Sequence, residues 1–110
     1  MNAFLSHSTE DLALVQWIAQ EVRHHASVYY WDESKVLGER AWDSIFGWID
    51  ISDFVIVVIT DNTVRRAMAV GQEVGRAVTM KKTVIPLVAE GVPDSALGCL
   101  SGVTYSRLRV

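Results

Sequence analysis

FVIVVI at residues 54–59 is apolar at every position, and every residue after the phenylalanine is β-branched. A strand that is exposed on one face alternates apolar with polar residues, whereas a strand covered on both faces does not. The run therefore predicts a strand in the middle of a parallel sheet, with helices packed on both sides.

Strands and helices alternate on either side of this run. Further strands are predicted at Ala3–Leu5, Val28–Trp31 and Thr83–Val88, with a fifth edge strand at Val103–Tyr105, and apolar residues recur at helical spacing over 12–22, 42–49 and 64–78. Such alternation implies right-handed crossovers between parallel strands. We expect an α/β fold of the flavodoxin-like type, a three-layer sandwich forming one domain over residues 1–110. Its five-stranded parallel sheet has the order 2-1-3-4-5, with helices on both faces.

Local patterns add detail to this architecture. Ser8 and Asp11 have the spacing of a capping pair for the first helix. Residues 60–63, Thr-Asp-Asn-Thr, supply cap candidates for a single third helix. Gly71 and Gly75 in that helix are expected to let it approach a neighbouring element closely. Pro86 places the fourth strand at or near the sheet edge.

Composition limits the partners and the compartment. The chain has 110 residues, 50% of them hydrophobic, and a formal net charge of −3. This charge offers no basic surface for nucleic acid or for an anionic membrane, and the apolar runs are shorter than the roughly 20 residues that cross a bilayer. Cys99 is the lone cysteine and the N-terminus has no signal-peptide pattern, so a cytoplasmic location is predicted.

Several chemistries lack their motifs. Neither G-x-G-x-x-G after a strand nor a Walker A motif is present, which disfavours hydride transfer and nucleotide triphosphate hydrolysis. His7, His24 and His25 do not have the spacing of zinc ligands, so no metal site is expected.

The candidate site follows from the predicted topology. Ligands of open parallel sheets bind outside the carboxyl ends of the strands, where the strand order reverses. The residues that follow the predicted strands are Ser6, His7 and Ser8, then 31–38, then Thr60 to Asn62, and then Ala89 to Gly91.

Five stretches in order carry a resemblance to a known family. They are Phe4-Leu5-Ser6-His7-Ser8 with Asp11, Tyr30-Trp31-Asp32 with a loop closing on Gly38, Ser52-Asp53 before the central strand, Glu73 with Ala77, and Val84-Ile85-Pro86-Leu87. Together they cover nearly the whole chain and resemble successive signatures of Toll/interleukin-1 receptor (TIR) domains.

What this resemblance implies is the five-stranded fold, self-association with other TIR domains and, in many members, cleavage of NAD centred on a glutamate of the third helix. Glu73 matches that catalytic glutamate. NAD+ is then a substrate rather than a cofactor, and the products are nicotinamide with ADP-ribose or a cyclic isomer, in stress or antiviral signalling. The implied substrate-binding residues are Ser6, His7, Ser8, Trp31, Asp32, Gly38 and Thr60. A neighbouring TIR subunit is expected to complete the site, and a downstream effector or a fused domain is a further candidate partner.

Alternative interpretations stay open at each position. Glu73 with Arg76 three residues later also has the spacing of a surface ion pair. Ser6 and Ser8 also suit helix capping, and Trp31 also suits packing. Ala69 stands where enzymatic bacterial members often carry a tryptophan, which favours a non-catalytic TIR interaction module as the alternative function. A phosphorelay receiver shares the architecture, but it needs clustered acids after the first strand, where this chain has Ser-His-Ser.

Overall fold

The computed structural model describes residues 1–31, 41–65, 67–89 and 106–108. The strands are β1 (Asn2–Ser6), β2 (Ser27–Tyr29), β3 (Phe54–Ile59), β4 (Thr83–Ala89) and β5 (Ser106–Leu108). The helices are α1 (Leu12–Val22), which follows a 3-10 turn at Thr9–Asp11, then α2 (Ala41–Ile51), α3 (Asp61–Arg65) and α4 (Ala67–Thr79). All strand pairs are parallel, in the order β2-β1-β3-β4-β5. The predicted flavodoxin-like α/β fold is therefore confirmed.

The strand β3 lies in the middle of the sheet and is buried on both faces. Because side chains alternate along a strand, Val55 and Val57 point to one face while Ile56 and Val58 point to the other. Apolar residues of α2 and α4 cover the first face: Ile45, Ile49, Val74 and Ala77. Apolar residues of α1 cover the second: Val15, Ile18 and Ala19. Burial on both faces explains why the apolar run in the sequence is unbroken.

The start of β3 and the start of β1 are joined by hydrogen bonds at the opposite edge from the candidate site. The Asn2 backbone N–H donates to the Asp53 carboxylate at 2.7 Å, and the Asp53 N–H donates to the Asn2 carbonyl at 2.8 Å. These bonds set the register in which Ser6, the last residue of β1, lies beside Val57.

The third helical region differs from the single helix that was predicted. It consists of α3 and α4, and the residue between them, Arg66, lies outside the described residues. The α4 helix ends in a Schellman motif, in which the Lys82 N–H donates to the Ala77 carbonyl and the Lys81 N–H to the Val78 carbonyl. Lys81 has φ 58°, the left-handed conformation that this motif requires and that glycine adopts at the lowest cost.

Two further local predictions are wrong. Gly75 is exposed and a Cβ added to it would meet nothing within 4 Å, so it does not mediate a close approach to a neighbouring element. Asp11 does not complete a capping pair with Ser8, because its carboxylate is turned toward the end of β3. The surroundings of Gly71 lie outside the described part, so the prediction for that residue stays a prediction.

The fifth strand and the position of Pro86 near the sheet edge agree with prediction, although the bounds of the strand differ. A fifth strand follows β4, although it begins three residues beyond Val103, at Ser106, and residues 103–105 lie outside the described part of the chain. Pro86 is buried in β4, and the described pairing with β5 begins one residue later, at Leu87. The proline therefore sits next to the edge strand, as expected. No helix in the described part of the chain has the length and apolar character to cross a bilayer.

Candidate active site

The carboxyl end of β1 places a polar side chain against α4. Ser6 shares a sheet face with Phe4, because the two residues are two apart in β1, and α2 and α4 cover that face. Ser6 is itself fully buried. A hydroxyl thus lies in an otherwise apolar layer at the edge where ligands of parallel sheets bind.

Glu73 of α4 meets this hydroxyl. The Ser6 Oγ–H donates to Glu73 Oε1 at 3.2 Å, and Glu73 is only 5% exposed. Burial raises the pKa of Glu73 from its usual 4.5 to about 8, while the hydrogen bond from Ser6 lowers that pKa by a smaller amount. These surroundings therefore favour the neutral carboxylic acid at neutral pH. A carboxyl with a strongly raised pKa in such a position is typical of functional sites.

The surface ion pair between Glu73 and Arg76 does not form. Arg76 instead makes a bidentate ion pair with Asp50 of α2, at 3.0 Å from Nε to Oδ1 and 2.8 Å from Nη2 to Oδ2. Glu73 faces the core because it lies one helical turn before Ala77, which is fully buried. The alternative of a solvated glutamate is therefore wrong.

His7 connects the loop after β1 to Trp31, two residues after the end of β2. Its two ring nitrogens lie 2.7 Å from the Ser8 carbonyl oxygen and 3.2 Å from the Trp31 carbonyl oxygen, and its ring meets Tyr30 edge-on. With 8% exposure, His7 supports the backbone around the site from within. A direct contact between His7 and a substrate stays a prediction.

Trp31 is half-buried two residues past the end of β2. Its ring packs at 6.2 Å from that of Trp48, against the apolar layer that also contains Val74 of α4. Packing accounts for part of the Trp31 surface, and stacking of its ring on a substrate stays a prediction. Asp32 and Gly38, which were predicted to bind substrate, lie outside the described residues.

Thr60 belongs to a buried polar network that the sequence alone did not predict. Its hydroxyl donates to Asp11 Oδ2 at 2.6 Å, and the Asn62 side-chain amide donates to Asp11 Oδ1 at 2.8 Å. Thr63 Oγ1 accepts from the Thr60 N–H and donates to the Val58 carbonyl. The signal was present in the sequence, since both Asp11 and Thr60 follow neighbouring strands at the same edge of the sheet. The network connects the start of α1 to the start of α3.

Ser8 caps the 3-10 turn before α1. Its hydroxyl accepts from the Glu10 N–H at 3.4 Å, which is the capping role considered for it above. Phosphate binding by Ser8 stays a prediction. In the described part of the chain, no cluster of three or more His, Cys, Asp or Glu side chains has the arrangement of a metal site.

These observations define a doubly wound α/β domain with a buried carboxyl at the edge of the sheet where such domains bind ligands. The chain belongs to the TIR domain family, because the family model described as TIR domain matches residues 3–110.

A solved structure supports this assignment at the level of the fold. The chain is similar to TIR domains in the "Structure of the activated Roq1 resistosome directly recognizing the pathogen effector XopQ", with a TM-score of 0.72 and 18% sequence identity. The alignment covers 90% of this chain and 63% of that chain, so this chain spans less than two thirds of the length of its structural relative. Comparison with curated proteins gives no match.

Proposed function

We propose that this TIR domain cleaves the bond between nicotinamide and ribose in NAD+, with Glu73 as the catalytic carboxylate. The observation that carries the proposal is the Glu73 carboxyl itself, which is 5% exposed, hydrogen-bonded to the Ser6 hydroxyl and located at the carboxyl edge of the sheet. A buried acid whose described hydrogen bond comes from a neutral hydroxyl is costly to keep, and such a cost is typical of a residue retained for activity.

The reaction needs a negative charge more than it needs a proton donor. When the C1′–N bond of NAD+ breaks, its electron pair moves to the nicotinamide nitrogen, which becomes neutral and leaves without protonation. Positive charge develops on the ribose, as in glycoside cleavage. Water then adds at C1′ and loses a proton to give ADP-ribose, or an adenine nitrogen adds to give a cyclic isomer.

Glu73 supplies the negative charge once it is ionised. Its carboxylate, placed against the ribose, would accept hydrogen bonds from the sugar hydroxyls and stabilise the developing cation. The Ser6 hydroxyl orients one carboxylate oxygen and favours the ionised form through its hydrogen bond. Trp31 then provides an aromatic surface for one of the two rings of the dinucleotide.

The direct test is release of free nicotinamide from NAD+ by concentrated protein. Glu73→Gln is expected to lower kcat by about 100-fold or more, because it removes the charge and keeps the shape. Glu21→Gln makes the same chemical change on the exposed surface of α1 and is the matched control. No nicotinamide from the wild-type protein at any concentration, or equal turnover by Glu73→Gln, would overturn the proposal.

Dependence on assembly is part of the proposed function. Specific activity is expected to rise with protein concentration, since a neighbouring TIR subunit is expected to complete the site. Specific activity that is constant from dilute to concentrated protein, with turnover at both ends, would show that one subunit contains the whole site.

A second candidate function is association with other TIR domains without catalysis. Trp17 favours it, because this large aromatic side chain is 52% exposed on α1 and outside the candidate active site. The two functions separate in one experiment: Trp17→Ala weakens self-association measured by sedimentation, and the assay for nicotinamide reports catalysis independently.

A further inference from the structure

The surroundings of Glu73 contain no fixed positive partner among the side chains that the structure describes. The strands packed against α4, which are β1, β3 and β4, contain no titratable residue. On the packed helices, Asp50 of α2 pairs with Arg76 and Asp61 of α3 is exposed. The side chains of Asp43 and Arg65 on these helices lie outside the described part. Lys82, beyond the end of α4, donates to the Asp50 carbonyl at 2.8 Å. Arg76 and Lys82 are thus both directed at Asp50, in part-buried contacts. The described hydrogen bond to the Glu73 side chain comes from a neutral hydroxyl.

A buried carboxyl with a neutral partner can respond to a ligand's charge. Desolvation by the surrounding protein destabilises the carboxylate, which is why the pKa of Glu73 rises to about 8. A cation brought within a few ångströms reverses this effect, since an opposite charge in a buried site favours the ionised form. Glu73 is neutral without the cation and ionised beside it, so the two states differ by one proton.

We propose that binding of a pyridinium nucleotide beside Glu73 expels the carboxyl proton to solvent, so that the site distinguishes oxidised from reduced nicotinamide by charge. This inference rests on the proposed function, in that it takes NAD+ to bind with its nicotinamide ribose at Glu73. On binding, the O–H bond of the carboxylic acid breaks, the electron pair stays on the carboxylate and the proton passes to buffer. Reduced NAD has a neutral ring and leaves Glu73 protonated. The positive charge of the substrate thereby favours the ionised form of Glu73 that the reaction needs.

Proton release is measurable without turnover. The probe is a carbocyclic NAD+ analogue, which keeps the pyridinium charge and lacks the ring oxygen that stabilises the ribose cation. Titration calorimetry in buffers of different ionisation enthalpy gives the number of protons exchanged. With a pKa of about 8 in the empty site, about 0.9 proton is expected to leave near pH 7. The dissociation constant is expected to fall about tenfold from pH 6 to pH 7 and to level off above pH 8.

Two comparisons make the result specific to Glu73. Glu73→Gln is expected to bind the analogue with no proton release, whereas the exposed Glu21→Gln releases as many protons as the wild type. Reduced NAD, tested on the wild-type protein, is expected to bind without proton release, and this comparison needs no variant. Analogue binding with no net proton exchange, equal exchange with reduced NAD, or no analogue binding at all would overturn the inference.

The outcomes also separate this inference from the proposed catalysis. Proton release by the analogue without nicotinamide release from NAD+ would support charge-coupled binding and overturn the catalytic proposal. Nicotinamide release that depends on Glu73, combined with binding that exchanges no proton, would overturn the charge coupling alone.

Discussion

Glu73→Gln is expected to stabilise the folded protein, and by an amount that depends on pH. The carboxyl is 5% exposed, and glutamine keeps an oxygen that accepts the hydrogen bond from Ser6. Below about pH 4, wild-type Glu73 is protonated in both the folded and the unfolded states, so variant and wild type are expected to be similar in stability.

The difference grows as pH rises through the interval between the two pKa values. The usual pKa of a glutamate, 4.5, applies to Glu73 in the unfolded chain, and its pKa in the folded protein is about 8. Within this interval the unfolded chain has lost the proton that the folded protein still binds, so wild-type stability falls by about 1.4 kcal/mol per pH unit. Above about pH 8 the loss of wild-type stability is complete and amounts to roughly 5 kcal/mol. Because glutamine does not ionise, the variant avoids this loss.

Urea unfolding of wild type, Glu73→Gln and the control Glu21→Gln at several pH values between 4 and 9 measures the effect. The free energy of unfolding of Glu73→Gln relative to wild type is expected to rise steadily across the interval, while Glu21→Gln stays within about 0.5 kcal/mol of wild type. A Glu73→Gln variant whose relative stability is independent of pH would refute the buried, neutral acid on which both proposals depend.

Other changes test separate parts of the structure. Ser6→Ala removes the hydrogen bond that lowers the pKa of Glu73, so the pH at which kcat/KM for NAD+ is half-maximal should move upward, and an unchanged pH–rate profile would rule out coupling between the two residues. Gly75→Ala should raise the free energy of unfolding by about 0.5–1 kcal/mol, since the position is exposed, helical and open; lower stability would contradict that geometry. Lys81→Gly should stabilise the end of α4 by about 1 kcal/mol at its left-handed position, and thermal unfolding measures both helix variants. Asp11→Ala should cost about 1–3 kcal/mol, because the Thr60 hydroxyl and the Asn62 amide lose their acceptor, and a neutral effect in urea unfolding would mean that water replaces the carboxylate.

Much of the architecture could be read from local patterns. The apolar run in β3 predicts a central strand because burial on both faces forbids polar alternation, and the helical spacing in α1 predicts its buried stripe. Cap geometry was less predictable, because the Asp11 carboxylate has two possible sets of donors. It accepts a hydrogen bond from the distant Thr60 hydroxyl and makes no capping bond to the nearby helix start. Gly75 had the spacing of a close helix contact, but only packing determines which face of a helix meets a neighbour.

By itself the sequence determined the class of fold, the position of the central strand and the family resemblance, because these depend on periodicity and on the order of motifs along the chain. Only the tertiary structure decided the state of Glu73. Its hydrogen-bond partner Ser6 is 67 residues away in sequence. Arg76, one turn along α4 from Glu73, forms an ion pair with Asp50 instead. The pKa of a carboxyl depends on the water and the charges around it in three dimensions, which the spacing of residues along a helix does not specify.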